Sequence, residues 1–400
     1  MRGCNRLIAI AVVAVAMVAA RGEARAASCH GGASFSQWLE GVKAEAMARG
    51  VSAATLQAAA PALRFDQSIV NRDRGQGVFS QNFLEFSDRM VNSYRLQHGA
   101  RHLAERKAMF DRIEQQFGVP GPVVVAFWAL ETDFGANNGD FPTITALASL
   151  AYDCRRPQLF REQLIAALLI VERGDLTVGE MRGAWAGEIG QTQFMAKEYL
   201  DTAVDFDGDG KRNLIRSSAD ALASCAALLR AHGWRPGEPW LQEVRVPTAL
   251  PWDQADIAIR HSRAEWARLG VTYADGSPLP ADGLQASLLL PMGRNGPAFL
   301  AYPNFDVYLQ WNQSLVYATT AAYLATRLAG APKVARGNAP ALSRNQIIDL
   351  QKLLAARGHD VGKVDGILGE RTRAAVKTVQ MQLGLPADSY PTPELIQRLR

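Results

Sequence analysis

Apolar residues recur at helical spacing through most of the chain. The first such stretch places one helix face at Phe35, Trp38, Leu39 and Val42. The same spacing of three and four residues returns over residues 159–171 and 315–328. Between residues 233 and 303, prolines and glycines interrupt short apolar pieces, which is typical of loops with a few strands. The pattern predicts a mainly α-helical protein with minor β content.

A stretch of small residues sets off the carboxyl-terminal tail. It covers residues 329–341 and has few side chains to bury, so it predicts a linker. Beyond it, Ser343 is a candidate helix cap, and Pro393 suits the first turn of a final helix. With a further helical run from Arg371 to Leu383, they predict a small three-helix domain over residues 342–400.

The amino terminus is typical of a secretory signal. Two arginines precede an apolar run over residues 7–20, and small residues suited to a signal peptidase follow it. The run is too short to span a bilayer core of about 30 Å. We therefore predict a cleaved signal peptide over residues 1–26 and a mature protein in the periplasm. A lipid anchor at Cys29 is disfavoured, because the preceding residues lack the leucine usual at such sites.

Charge and cysteine content narrow the class of protein. The signal holds four of the 43 basic residues and one of the 39 acidic ones, so the mature chain is nearly neutral. It lacks the basic excess of a nucleic-acid binder. Cys29, Cys154 and Cys225 remain after cleavage. In an oxidising compartment they predict one disulfide and one leftover thiol, with the pairing open.

Glu131 lies near the end of a predicted buried helix. The segment 119–135 has prolines at its start and a glycine at its end, and apolar side chains three, four and seven residues earlier share the face of Glu131. Burial and the helix dipole both raise the pKa of such a carboxyl, which suits a general acid. The alternative is a structural carboxyl that reaches water or Arg155. Asp133 points away from Glu131 on a helix, so no carboxylate pair is visible here.

A glycine-rich loop over residues 185–195 forms a second motif. Its glycines permit close approach of a ligand, and its amides suit the hydroxyl and acetamido groups of sugars. Together with Glu131, this loop resembles the membrane-bound lytic transglycosylase B family, lysozyme-like enzymes that act on murein. The resemblance covers most of a catalytic domain over residues 27–328. It extends over segments 130–135, 152–156, 203–210, 232–234 and 296–317.

The resemblance implies a mechanism with a single carboxyl group. Glu131 would protonate the bond between N-acetylmuramic acid and N-acetylglucosamine, then take a proton from the muramoyl C6 hydroxyl, which closes a 1,6-anhydro product. No cofactor is required. The substrate-binding positions that the family implies are Gln193, Arg155, Arg156, Asn312 and Tyr317. Two residues depart from the family: Ala184 replaces a serine thought to support the glutamate, and Glu188 replaces a small residue and adds a charge near the cleft.

Alternating aspartates suggest a cation site. Asp205, Asp207 and Asp209 match the start of an EF-hand calcium loop, but Arg216 occupies the twelfth position. Asp220 is a candidate late ligand in an enlarged loop, as in family members that bind calcium. The alternative is a solvated turn before a helix. A calcium ion here would be structural.

The tail resembles the peptidoglycan-binding type 1 module. The resemblance is strong over residues 362–372, whereas residues 388–391 stand where a second Asp-Gly turn is expected. We expect this module to bind peptidoglycan and to raise the local substrate concentration through the linker. The alternative is a bundle docked on the enzyme for structural reasons.

The leading hypothesis from the sequence is a lytic transglycosylase. The alternatives are a hydrolytic muramidase of the same fold and a non-catalytic wall-binding protein. We expect a monomer whose partner is the peptidoglycan glycan strand, with no nucleic acid bound. Whether other cell-wall enzymes bind it stays open.

Overall fold

Helices dominate residues 30–75 and 81–400, which are the residues that the computed structural model describes. The helices of the first half are α1 (Phe35–Ala48), α2 (Ala53–Ala59), α3 (Gln67–Arg74), α4 (Phe83–Met90), α5 (Ser93–Glu105), α6 (Lys107–Phe117), α7 (Gly121–Thr132), α8 (Thr143–Tyr152) and α9 (Pro157–Arg173). The others are α10 (Ala196–Thr202), α11 (Ser218–Ala231), α12 (Arg263–Arg268), α13 (Pro303–Trp311), α14 (Leu315–Leu328), α15 (Arg344–Ala355), α16 (Glu370–Gln382) and α17 (Pro393–Arg398). The prediction of a mainly α-helical fold is confirmed.

Short strands form two antiparallel sheets. They are β1 (Phe141–Pro142), β2 (Arg182–Gly183), β3 (Leu241–Arg245), β4 (His261–Ser262), β5 (Thr272–Tyr273), β6 (Gln285–Leu289) and β7 (Phe299–Ala301). Strands β1 and β2 pair with each other, and the other five form one sheet in the order β4-β6-β7-β3-β5. In that sheet Ala301 of β7 lies between Leu241 and Ser287. The Pro- and Gly-rich region thus supplies one sheet, whose own apolar core is built around the buried Trp266.

Helix α7 lies at the centre of the main core. Nearly all of its residues are buried, so it has no solvent face, as expected for a helix surrounded by other elements. It packs against α14, α5 and α11. Pro122 lies in its first turn, where proline is favoured because the backbone N–H groups there have no partner within the helix.

Helix α7 ends earlier than the sequence predicts. Its last residue is Thr132, and the backbone then turns left-handed at Asp133 (φ 49°), Phe134 (φ 63°) and Gly135 (φ 83°). The turn carries the Asp133 carboxylate to Arg95, whose Nε donates a hydrogen bond of 2.8 Å to it. This ion pair offsets the strain of two non-glycine residues in the left-handed region. Glu131 therefore lies in the last turn of the helix, and Asp133 is outside it.

Of the two cysteines within residues 30–75 and 81–400, one is bonded and one is free. Cys154 is disulfide-bonded, and Cys225 of α11 is a buried free thiol, so the two do not pair with each other. The signal peptide and Cys29 lie outside the described residues. Across residues 30–75 and 81–400, every helix is too short or too polar to cross a bilayer.

The carboxyl-terminal tail forms the three expected helices, α15 to α17, around a small core of their own. Gln351 of α15 and Gln380 of α16 each hold the loop that follows their helix by accepting and donating backbone hydrogen bonds. In the second of these loops Ser389 adopts φ 62°, so the turn forms without the glycine that the module pattern leads one to expect.

The module docks directly on the catalytic region. Arg373 of α16 donates hydrogen bonds to the backbone carbonyls of Leu290 (2.8 Å) and Pro291 (3.4 Å). Lys377 contacts the Asp256 carboxylate at 2.8 Å. These contacts join the two parts without help from the segment between them.

The segment predicted as a linker is also held in place. Val334 is only 5% exposed and packs into the main core, the Ala335 amide donates to Glu243 (2.8 Å), and Arg336 pairs with Asp88 (2.6 Å). Within residues 329–341 only Val334 is buried, as expected for a segment that buries little, but several of its polar groups find partners on the catalytic region. The module is therefore fixed rather than loosely tethered.

We predict that Arg373→Ala loosens this docking. The change removes two hydrogen bonds from a charged group and should cost about 2–4 kcal/mol. Limited proteolysis should then cut residues 329–341 faster than in the parent protein, and Arg371→Ala, which removes an exposed guanidinium on the same helix, is the control. Equal cleavage rates in all three proteins would contradict a docked module.

Candidate active site

A cavity of about 350 Å³ adjoins the carboxyl end of α7. Helix α7 contributes Glu131, the loop after β2 contributes Trp185 and Glu188, and the end of α13 contributes Trp311. The residues that line it are Glu131, Ala184, Trp185, Glu188, Gln193, Met195, Glu198, Leu228, His232, Trp311 and Asn312. The structure thus brings together three positions that the sequence selected, Glu131, Gln193 and Asn312.

Two hydrogen bonds orient the Glu131 carboxyl group. Trp311 Nε1 donates to Glu131 Oε1 at 3.0 Å, and the Tyr317 hydroxyl donates to the same oxygen. Both donors come from the far end of the catalytic region, through α13 and α14. Because they engage one oxygen, Glu131 Oε2 is left to interact with a molecule in the cavity.

The protonation of Glu131 follows from its surroundings. Burial raises the pKa of this carboxyl, the hydrogen bonds from Tyr317 and Trp311 oppose the rise, and the nearby Glu188 adds to it. The net direction is upward, as the sequence predicted. Arg155, the alternative partner considered from sequence, contacts Asp73 instead. Glu131 is therefore a half-buried carboxyl with uncharged donors and no cation beside it among the described residues.

The glycine-rich loop is fastened to the end of α7. The Thr132 hydroxyl donates to the Gln191 carbonyl at 2.6 Å, and Trp128 Nε1 donates to the Gln191 side chain at 3.1 Å. A Cβ atom on Gly187 would lie 2.3 Å from Leu147, and one on Gly190 would lie 2.5 Å from the Leu214 carbonyl. These two glycines permit close packing of the protein on itself, not the close approach of a ligand that the sequence suggested.

Gln193 is positioned by strained backbone. It adopts φ 53°, and its side-chain amide donates to the carbonyls of Asn138 (3.1 Å) and Gly190 (2.9 Å). Those two bonds use the nitrogen of the amide, so its oxygen is left for a ligand. Non-glycine residues in this conformation persist only where the surroundings hold them, which is frequent at binding sites.

Two more carboxyl groups line the cavity beside Glu131. Burial raises the pKa of both Glu188 and Glu198. The sequence pointed to Glu188 as an added charge near the cleft but missed Glu198. Glu198 also accepts a hydrogen bond from the Met195 amide at the start of α10 (3.3 Å). A glutamate three residues after the start of a helix often caps it, and this sequence signal could have placed Glu198 beside the loop.

Arg155 and Arg156 are not among the residues that line the cavity. Both contact the buried carboxylate of Asp73 in α3, Arg156 at 3.1 Å. Arg156 is nevertheless close enough to Glu188 to lower the pKa of that carboxyl in part. The tertiary structure therefore uses this arginine pair to neutralise Asp73, and the Arg156 guanidinium lies beyond the cavity wall.

Tyr317 lies between two cavities. Besides its contact with Glu131, it borders a second space of about 350 Å³ between the catalytic region and the module. Asn312 borders both spaces. The sequence selected Tyr317 and Asn312, but it assigned no role to Trp311, which is adjacent to Asn312 and donates a hydrogen bond to Glu131.

The acidic loop brings three aspartates together. Oxygens of Asp205, Asp207 and Asp209 lie within 4.8 Å of one another. Asp220 does not join them, because its two carboxylate oxygens accept hydrogen bonds of 2.8 Å from the backbone amides of Phe206 and Asn213. Through these bonds the buried Asp220 carboxylate holds the two ends of the loop, and its role as a late calcium ligand stays a prediction.

Both parts of this chain match known protein families. A family model described as the transglycosylase SLT domain matches residues 34–326, and one described as a putative peptidoglycan binding domain matches residues 343–399. The membrane-bound lytic murein transglycosylase B of Escherichia coli is 30% identical over 238 residues. That match covers 59% of this chain and 64% of the relative.

Solved structures extend the likeness. SltB3 from Pseudomonas aeruginosa, in complex with NAG-anhNAM-pentapeptide, is 42% identical with a TM-score of 0.84, over 92% of this chain and 99% of that one. Escherichia coli Slt35 in complex with calcium is 28% identical with a TM-score of 0.57, over 66% of this chain and 84% of that one. Both parts of this chain therefore have relatives of known structure.

We predict that Tyr317→Phe raises the pKa of Glu131 further. The hydroxyl donor stabilises the ionised carboxylate, so its removal favours the protonated form and moves the titration to higher pH. Infrared difference spectra or carbon NMR of the labelled carboxyl can follow this titration. Tyr94→Phe, at an exposed tyrosine, is the control. A titration that moves to lower pH, or not at all, would contradict the inferred hydrogen bond.

Proposed function

This chain belongs to the transglycosylase SLT domain family, and we propose that it is a lytic transglycosylase that cleaves the glycan strands of peptidoglycan. The observation that carries the proposal is Glu131, a half-buried carboxyl whose pKa is raised by desolvation, on the wall of a cavity beside Gln193 and Asn312. A protonated carboxyl in such a place suits the protonation of a glycosidic oxygen.

The first step is acid catalysis. The Glu131 carboxyl donates its proton to the oxygen that joins C1 of N-acetylmuramic acid to N-acetylglucosamine, the C1–O bond breaks, and the leaving sugar keeps the proton as a hydroxyl group. Tyr317 and Trp311 then stabilise the carboxylate that forms, because both donate to Oε1. The muramoyl acetamido group assists by sharing the positive charge at C1.

The second step returns the proton. The Glu131 carboxylate takes a proton from the muramoyl C6 hydroxyl, whose oxygen attacks C1 and closes the 1,6-anhydro ring. The carboxyl is restored and no water is consumed. Support comes from the SltB3 complex with an anhydro-sugar fragment, which is the kind of product that this step forms.

The remaining residues bind and orient the glycan in this proposal. The free amide oxygen of Gln193 and the side chain of Asn312 are suited to sugar hydroxyl and acetamido groups. Arg155 and Arg156, about half exposed, supply guanidinium groups for substrate carboxylates outside the cavity. Ala184 brings no hydroxyl group to Glu131, so the contacts from Tyr317 and Trp311 carry the orientation.

Hydrolysis is the second candidate, and one observation favours it. Glu188 and Glu198 line the same cavity, so a second carboxyl is available to activate a water molecule. This hydrolytic alternative predicts products with a reducing muramoyl end in place of the anhydro end. We favour the lytic reaction because the SltB3 structure holds an anhydro-sugar fragment, the kind of product that this reaction forms.

The carboxyl-terminal module binds peptidoglycan in this proposal, in support of the catalytic domain. Because it is docked, it holds the bound strand in a fixed direction relative to Glu131 instead of acting through a flexible tether. A cleaved signal over residues 1–26 delivers the enzyme to the periplasm, where the substrate lies. We propose that it acts there as a monomer.

We further propose a structural calcium ion in the loop of Asp205, Asp207 and Asp209. Their clustered carboxylates are the hard oxygen ligands that calcium prefers, and an ion would relieve their mutual repulsion. The calcium complex of Slt35 supports the proposal. The ion would brace the loop between α10 and α11 and take no part in the reaction.

We expect Glu131→Gln to abolish cleavage. The amide keeps the shape and cannot transfer a proton, so the release of soluble fragments from purified sacculi should fall about 10²–10⁴-fold. The control is the same change at Glu162, an exposed residue of α9 paired with Arg49. Mass spectrometry of the parent protein's products should show anhydromuramoyl ends. Unchanged turnover would exclude Glu131, and reducing ends would select hydrolysis.

Calcium should stabilise the folded protein without changing the products. At a calcium concentration of 100 times Kd, the free energy of unfolding should rise by about 2.7 kcal/mol. Asp209→Asn should remove most of this gain, whereas Asp201→Asn, outside the loop, should keep it. Thermal unfolding with and without a chelator measures both. An identical melting temperature in both conditions would rule out the ion.

A further inference from the structure

Acidic residues line the cavity around Glu131, and no basic residue balances them. Three of its lining residues are glutamates, Glu131, Glu188 and Glu198, and none is lysine or arginine. The one other titratable group, His232, is biased toward its neutral form because burial lowers its pKa. A ligand in this space meets carboxyl groups without a compensating protein cation on the wall.

Glu188 is the member of this set whose bonding is incomplete. The backbone amides of Ala186 and of Glu188 itself partly oppose the rise in its pKa that burial causes. Its Oε2 atom is buried and has no hydrogen-bond partner among the described residues. A buried carboxylate oxygen without a donor is costly, so a ligand that supplies a donor is favoured.

The surrounding protein does not supply that donor. Arg156, the cation nearest in its electrostatic effect, is engaged with Asp73 and lies over the Phe160 ring. The terminal torsion of a glutamate is broad, so a small rotation can present either oxygen to the cavity. The missing partner of Glu188 can therefore come from the cavity side.

We propose that Glu188 makes this cavity selective for glycan in which a glucosamine unit carries a free amino group in place of the acetamido group. The inference rests on the proposed function. An ammonium group offers three donors and a positive charge, whereas an acetamido group offers one donor and no charge. A charge-assisted bond to a carboxylate is about twice as strong as a neutral one, and the acidic walls add a favourable field.

The proposal assigns the amino group to the glucosamine unit and not to the muramoyl unit. The muramoyl acetamido group has a task in the reaction, since it shares the positive charge at C1. Loss of that acetyl group would slow the chemistry, whereas loss of the acetyl group from the neighbouring glucosamine unit leaves the reacting atoms unchanged. The preferred ligand is thus a glycan strand in which the glucosamine unit is N-deacetylated and the muramoyl unit keeps its acetyl group.

Binding of two trisaccharides tests the proposal directly. Titration calorimetry at pH 6 compares the trisaccharide of glucosamine with that of N-acetylglucosamine, using the full mature chain. The amino sugar should bind about tenfold more tightly, which corresponds to one charge-assisted hydrogen bond. Glu188→Gln and Glu188→Ala should both remove this advantage, whereas Glu40→Gln, which deletes an exposed carboxylate of α1, should keep it.

The outcomes separate this inference from the proposed function. Preference of the parent protein for the acetylated trisaccharide would overturn the inference whatever the variants do. An amino-sugar preference that survives in Glu188→Gln, with its melting temperature unchanged, would overturn it as well. Cleavage of fully acetylated sacculi by the parent protein tests the proposed function separately. If the protein does not cleave them, the dissociation constants of the two trisaccharides still show whether Glu188 selects the amino sugar.

Discussion

The hydrogen bonds from Tyr317 and Trp311 to Glu131 Oε1 are the contacts on which the rest of the site depends. They join the last turn of α7 to residues 180 and 186 positions later in the chain. The carboxyl is half-buried and its donors are neutral, so it is oriented without being forced to ionise. A cation in the same place would have lowered the pKa and removed the proton that acid catalysis needs.

The surrounding structure holds this arrangement in place. The left-handed turn at Asp133 ends α7 one residue after Glu131, and the ion pair with Arg95 secures that turn. The loop with Gly187 and Gly190 then folds back on the helix end through Thr132 and packs against neighbouring side chains and backbone. Because these contacts are within the protein, the cavity wall is formed before a ligand enters, which is how preorganised sites lower the cost of catalysis.

Two further features shape how a glycan strand meets this site. The carboxyl-terminal module is docked through Arg373 and Lys377, and the intervening segment is held by Val334, so the module has one position relative to the cavity. The cavity itself carries Glu188 and Glu198 in addition to Glu131. A fixed module constrains the direction of a bound strand. The additional carboxyl groups favour sugars that carry a positive charge.

The sequence by itself determined the helical fold class, the buried carboxyl of Glu131, the glycine-rich loop and the three helices of the tail. Those features depend on apolar periodicity, on proline, glycine and capping residues, and on spacing within a few turns, which are local properties of a chain. Tertiary structure alone decided the rest. Arg155 and Arg156 turn to Asp73, Asp220 holds the loop backbone, Val334 fixes the supposed linker, and Trp311 reaches Glu131. Each of these contacts joins residues that no local pattern relates, because a side chain's partner is set by which elements pack together and by which buried charges must be neutralised.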